Sequence, residues 1–248
     1  MPHRRLPPTI SDEIGRSTEC HPSPGWLGWE RERSLMPFSF FGSNSNSASQ
    51  TLQKLRSSPL EAMQQHGFDV ADQAYVGRTT GGPCTLRGSD LGNGVVRLTV
   101  ENGVGDYYFP WIPKGGGGVG DCTVPGGAPE GTIVLTGGMN GCAFQVNRDA
   151  GSLHFYHDAD SNSLGPVPGT QVCRVGYTDY ATRLELGQKA MLATQPRGGG
   201  AFYYAYYLMA IKVGSRWEVY ASGVLANGNE FTRIQPGVTP MMTSFDDA

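Results

Sequence analysis

A chain of 248 residues with a formal net charge of -3 and no concentrated run of Lys and Arg lacks the surface that tracks nucleic-acid phosphates. Its longest strongly apolar run, 201–211, falls short of the roughly 20 residues of a membrane-spanning helix. Charged residues make up only 17% while 36 glycines and 17 prolines punctuate the whole length, which predicts a soluble protein of short strands and many turns, with neither nucleic acid nor membrane as partner.

Residues 1–58 differ from the rest. Pro2, Pro7, Pro8, Pro22 and Pro24, a mixed charge run from Glu30 to Arg33, and a Ser/Asn-rich stretch from Gly42 to Gln50 predict a disordered or loosely attached leader. Arg4 and Arg5 are not followed by an apolar segment, so no Sec-type signal peptide is expected. Met36 offers a second start, and the polar segment after it is similar to the leaders of effector proteins delivered by contact-dependent secretion. The folded domain that carries any function is therefore expected over 59–248.

Ser58 is placed to cap a helix, with Pro59 at its first position and Glu61 three residues after the cap, and Gly67 is expected to end it. From Gly94 onward the pattern predicts strands over Val95–Val100, Asp106–Ile112, Thr132–Leu135, Cys142–Val146, Ser152–His157 and Gln171–Tyr177, each bounded by Gly, Asn or Pro. Residues 185–193 fit a short helix or a strand equally well. Ala201–Val213 and Trp217–Val224 read as a strand pair joined at Gly214-Ser215. No internal repeat is seen. The coarse expectation is a mixed sheet or sandwich with one or two helices.

Five cysteines, Cys20, Cys84, Cys122, Cys142 and Cys173, show neither a disulfide-framework spacing nor a zinc-ligand pattern, so free thiols and no metal or other cofactor are expected. One of them has notable company. The strand Thr132–Leu135 runs into Thr136-Gly137-Gly138-Met139-Asn140-Gly141-Cys142, where glycines bend the backbone and the chain leaves as a second apolar strand. A thiol at the end of such a turn sits where backbone N–H groups can converge on one bound atom, as oxyanion stabilisation requires. The chain returns after Asn147–Gly151 as Ser152-Leu153-His154-Phe155-Tyr156, and a hairpin is expected to bring His154 across from Cys142 to take its proton. His157 falls on the opposite face from His154 and reads as a surface or structural residue.

The order Thr136, Cys142, His154, the Gly141-Cys142 step and the upstream Phe109-Pro110-Trp111 element resemble the catalytic set of Burkholderia lethal factor, a relative of cytotoxic necrotizing factor and of the chemoreceptor deamidase CheD. The resemblance spans about 90–225 and is specific only around the cysteine. It implies an α+β fold with a mixed β-sandwich core and a few flanking helices. It also implies Cys142 as nucleophile, His154 as general base and then acid, and Thr136 as the group orienting the imidazole. The implied activity is hydrolysis of a specific glutamine side chain to glutamate in a host protein, by a monomeric bacterial toxin or effector secreted without a Sec signal and acting in the host cytosol. Rho-type GTPases and a translation-initiation helicase are the partner classes that the resemblance suggests.

Other readings of the same residues remain open at this point. An amine in place of water would make the enzyme a transglutaminase, and an inert Cys142 would leave a binding module. A papain-like peptidase is disfavoured because its histidine lies far downstream with a local signature absent here. Cys84, Cys122 and Cys173 read as buried packing residues, Trp111 as a core or corner residue, and Phe202–Tyr207 as sheet packing. Gly115–Gly120 lacks the Lys-Ser/Thr of a phosphate loop and reads as a flexible rim, and Asp158 with Asp160 reads as a solvated turn.

Overall fold

A computed structural model describes residues 45–181, 202–227, 230–234 and 240–247. Helix α1 (Ser45–Ser57) is followed by α2 (Pro59–Gln65) and by strands β1 (Gly67–Ala71), β2 (Gly82–Gly92), β3 (Val95–Asn102), β4 (Asp106–Phe109) and β5 (Val119–Pro125). Then come β6 (Ile133–Thr136), β7 (Ala143–Asp149), β8 (Ser152–Asp158), β9 (Thr170–Val175), the one-turn helix α3 (Tyr177–Tyr180), β10 (Phe202–Val213), β11 (Arg216–Asn227), β12 (Glu230–Ile234) and β13 (Met241–Asp246). The chain is α+β, mostly sheet. Residues 1–44 and 185–193, on which several expectations rest, lie outside the described residues.

Nine strands form a mixed sheet in the order β1-β3-β2-β4-β6-β10-β11-β12, with β13 also on β11, and four form an antiparallel sheet, β5-β8-β7-β9. Within the large sheet, β1–β3 and β4–β6 are the parallel pairs. That sheet curls until its ends nearly meet: the Phe68 amide of β1 donates to Ser222 Oγ of β11 at 2.6 Å, and Asn93 donates to the Phe231 carbonyl of β12 at 3.0 Å.

Period-two alternation sorts side chains into two cores. From β6 and β10, Ile133, Leu135, Tyr207, Met209 and Ile211 point inside the curl, where α1 and α2 also pack. The intervening Val134, Tyr206, Leu208 and Ala210 point the other way, against Phe144 and Val146 of β7 and Leu153 and Phe155 of β8. The small sheet therefore lies on the outer face of the large one, and any side chain of β6 in phase with Val134 enters the layer between them. Thr136 is in that phase.

The expected boundary at residue 58 is corrected by α1. Ala48, Leu52 and Leu55 recur at i, i+4 and i+7 and are buried in the first core. Arg56 grips Asp106 with both terminal nitrogens, at 2.6 and 2.5 Å, and donates to the Gly131 carbonyl at 2.9 Å. Asp106 is 1% exposed and also accepts the Ile133 amide, so deleting Arg56 would strand a buried carboxylate at a cost of about 3–5 kcal/mol. The helix belongs to the folded unit. At α2, Ser58 does hold the cap position with Pro59 after it, but its side chain makes no capping hydrogen bond.

Candidate active site

β6 ends at Thr136, and the turn to β7 is fastened to β10 at its middle. The Met139 amide donates to the Tyr206 carbonyl at 2.7 Å and Asn140 Nδ2 donates to the Tyr204 carbonyl at 2.7 Å. This close approach explains a glycine: a Cβ on Gly138 would come within 3.1 Å of the Ala205 Cβ. Gly141 then adopts φ 91°, a conformation that glycine reaches without a Cβ penalty, and delivers Cys142 into β7. Cys142 is fully buried and shares the inter-sheet layer with Phe144 and Val146, as its phase requires.

Register decides which histidine it meets. Ala143 pairs with Asp158 and Phe144 with His157, and Cys142, just ahead of β7, is buried in the same inter-sheet core as Phe144, the face that His157 shares. His154 pairs with Asn147 instead, five residues along β7, or roughly 16 Å away at the usual rise per residue, and on the outer face of the small sheet. There its Nδ1 lies 3.0 Å from Thr123 Oγ1. The expected Cys142–His154 pair is thus corrected: the structure brings His157, not His154, to the thiol's side, because Leu153, Phe155 and His157 share one phase and His154 the other.

His157 is held at one ring nitrogen only. Thr136 Oγ1 donates to the Phe109 carbonyl at 2.7 Å and lies 2.8 Å from His157 Nδ1. A hydroxyl has one proton, and here the Phe109 carbonyl takes it, so toward the imidazole Thr136 is an acceptor and Nδ1 carries the N–H. The lone pair is then on Nε2, which is buried and has no hydrogen-bond partner among the described residues. Burial pushes the His157 pKa down to about 3, so the ring is neutral at ordinary pH. The Thr136 hydroxyl, expected beside His154, contacts His157 instead.

No protein-family model matches the chain, and no curated protein matches it in sequence.

Two hydroxyls that sequence reasoning passed over complete the surroundings. Ser161 Oγ donates to the Gly141 carbonyl at 3.1 Å, and Tyr180 Oη donates to the Cys142 carbonyl at 2.9 Å. Ser161 sits in a loop fixed from beneath by Asp158, whose Oδ1 accepts the amides of Ser163 and Leu164 and whose Oδ2 lies 3.0 Å from Arg174. Asp158 is 1% exposed, which corrects the expectation of a solvated turn. The glycine loop at 115–118 does border this region, since the Ala159 amide donates to the Gly118 carbonyl. Trp111 is half-buried against the inter-sheet core, beside Gly137.

Cys122 and Cys173 share the inter-sheet core with Cys142, and Cys84 lies in the other core. Burial pushes the Cys84 and Cys173 thiols up to about 12 and raises Cys122 as well, so all three stay protonated. No disulfide joins the described cysteines, and Cys20 lies outside the described residues. Among the described residues no group of three or more His, Cys, Asp or Glu could hold a metal ion, and no helix is long and apolar enough to cross a membrane.

Proposed function

We propose that this protein is a cysteine-dependent deamidase that converts a glutamine side chain of a host protein to glutamate, with Cys142 as nucleophile, His157 as base and Thr136 as the residue that orients it. The observation that carries this reading is the buried, unpartnered Nε2 of a histidine whose Nδ1–H is occupied by Thr136, on the face that Cys142 shares. Burial of so polar an atom is costly for packing alone and useful for proton transfer. The layered sheets are in keeping with the β-sandwich of the lethal-factor and CheD-like deamidases, which the Thr136, Cys142 and Trp111 region resembles.

In this reading the Cys142 sulfur bonds to the side-chain amide carbon while its proton passes to His157 Nε2. Backbone N–H groups of the Gly141–Cys142 turn hold the oxyanion, and His157 returns the proton to the amide nitrogen as the C–N bond breaks and ammonia leaves. Water, deprotonated by the same ring, then attacks the thioester, releasing glutamate and restoring the thiol. No step draws on a cofactor. Cys142 and His157 are both fully buried, so the substrate side chain reaches them only as the rim opens. The biological role that fits is that of a bacterial toxin or effector, with a Rho-type GTPase or a translation-initiation helicase as candidate targets.

Expression of the protein and of Cys142→Ser in eukaryotic cells tests this. Host glutamines converted to glutamate gain about 1 Da, and such sites should appear with the parent protein alone. Equal tolerance of both proteins with no converted site would end the toxin reading. Transfer of an added polyamine onto the same glutamine would reassign the chemistry to transglutamination.

A further inference from the structure

The two carbonyls that flank Cys142 are each held by a side-chain hydroxyl, and the two hydroxyls come from different elements. Ser161 Oγ takes the Gly141 carbonyl at 3.1 Å and Tyr180 Oη takes the Cys142 carbonyl at 2.9 Å. In a planar trans peptide the carbonyl and the N–H point in opposite directions. Fixing the Gly141 carbonyl therefore fixes the Cys142 N–H, which is the amide nearest the sulfur.

We propose that Ser161 and Tyr180 are positioning residues that aim the peptide N–H groups around Cys142 at the oxyanion, a role that rests on the cysteine-hydrolase reading above. The loop that supplies Ser161 is held in an unusual conformation for this purpose. Asp160 and Ser161 are consecutive non-glycine residues at φ 57°, a region that costs most side chains energy and persists only where surrounding contacts impose it. Those contacts are present. Asp158 caps the amides of Ser163 and Leu164, and Arg174 reaches both Asp158 Oδ2 at 3.0 Å and the Ser161 carbonyl at 2.8 Å. Arg174 is in turn braced by Gln145 at 2.5 Å. The same arrangement thus runs from an ion pair with only its carboxylate buried to the peptide beside the sulfur.

Tyr180 is placed with comparable care. Its ring is 1% exposed and packs on Tyr206 at 5.3 Å between centroids, while the one-turn helix that carries it is closed by Asp179, which accepts the Gly176 amide at 2.7 Å. Neither hydroxyl needs to touch substrate. Their effect is on direction, and direction matters only in a step that builds an oxyanion.

That condition gives the experiment. Alkylation of Cys142 by iodoacetamide displaces iodide at a saturated carbon and builds no oxyanion, whereas acylation by p-nitrophenyl acetate builds one. In the full chain, with the site of attachment located by peptide mass, Ser161→Gly and Tyr180→Phe should each slow acylation of Cys142 on the order of tenfold and leave its alkylation rate and pH profile within about twofold. Ser161→Gly removes the hydroxyl and relieves the backbone. Ser161→Asn, which tolerates the left-handed region and keeps a donor, should restore much of the acylation rate. Equal losses in both reactions would mean that the two hydroxyls only support the fold, and unchanged acylation would mean that they do nothing for the oxyanion. Either result overturns the proposal. If Cys142 of the parent protein reacts no faster than Cys173 with either reagent, the cysteine-hydrolase reading itself fails and the proposal falls with it.

Discussion

His154 and His157 lie three residues apart on β8 and face opposite sides of the small sheet. His154 is half-buried on the outer face and finds a partner in Thr123 of the neighbouring strand. His157 is fully buried between the sheets, with one nitrogen given to Thr136 and the other kept bare. The residue type is the same and the strand is the same. Only phase differs, and phase alone separates a ring that solvent can reach from one enclosed between the sheets.

The comparison is most sharply tested by exchanging each ring. Under the proposed deamidase chemistry, His157→Gln should lower turnover of the target glutamine by about a thousandfold, the range of a lost general base, while His154→Gln should stay within about twofold of the parent protein. Conversion measured by mass on the identified target peptide decides it, and a larger loss in the His154 variant would invert the assignment. Thr136→Val comes next. It keeps the shape but leaves both the Phe109 carbonyl and the His157 N–H without their partner, so turnover should fall ten- to a hundredfold and unfolding in urea should show a loss of about 1–3 kcal/mol. Thr123→Val, the matching change beside His154, should cost less than about 0.5 kcal/mol.

A smaller effect concerns pH. Unfolded, His157 titrates near 6.5, and folded it does so only at about 3, so between these values the unfolded chain binds more protons. Stability should therefore be fully supported by the neutral ring above about pH 6.5 and decline as pH falls toward 3, by at most about 1.4 kcal/mol per pH unit from this group. Denaturant titrations across that window should show a shallower decline for His157→Gln.

Much of the fold could be read from alternation. The expected strands at 132–135, 152–157 and 171–177 fall within one or two residues of β6, β8 and β9, and the hairpin at Gly214-Ser215 joins β10 to β11, with Gly214 at φ 59°. What escaped has identifiable causes. In α1 the polar composition of Ser45–Gln50 masked the helical spacing of Ala48, Leu52 and Leu55. In β2 and β5, Pro83 and Pro125 at the strand margins and the glycines within read as loop. The turn that runs from Thr136 to Cys142 could be found because its glycines mark it locally. The histidine could not be found from spacing, since the turn between β7 and β8 sets the register. The parity of Leu153 and Phe155, in step with the buried residues of β7, was the signal that pointed to His157.

β6 is held on one side by β4, which precedes it closely, and on the other by β10, which arrives far later in the chain. Thiol, imidazole and hydroxyl are all synthesised before the strand that anchors both β6 and the Met139 turn has emerged. A nascent chain stopped ahead of residue 202 would carry all three side chains and yet lack the rail against which they are aligned, so their arrangement waits for a strand added long after the last of them.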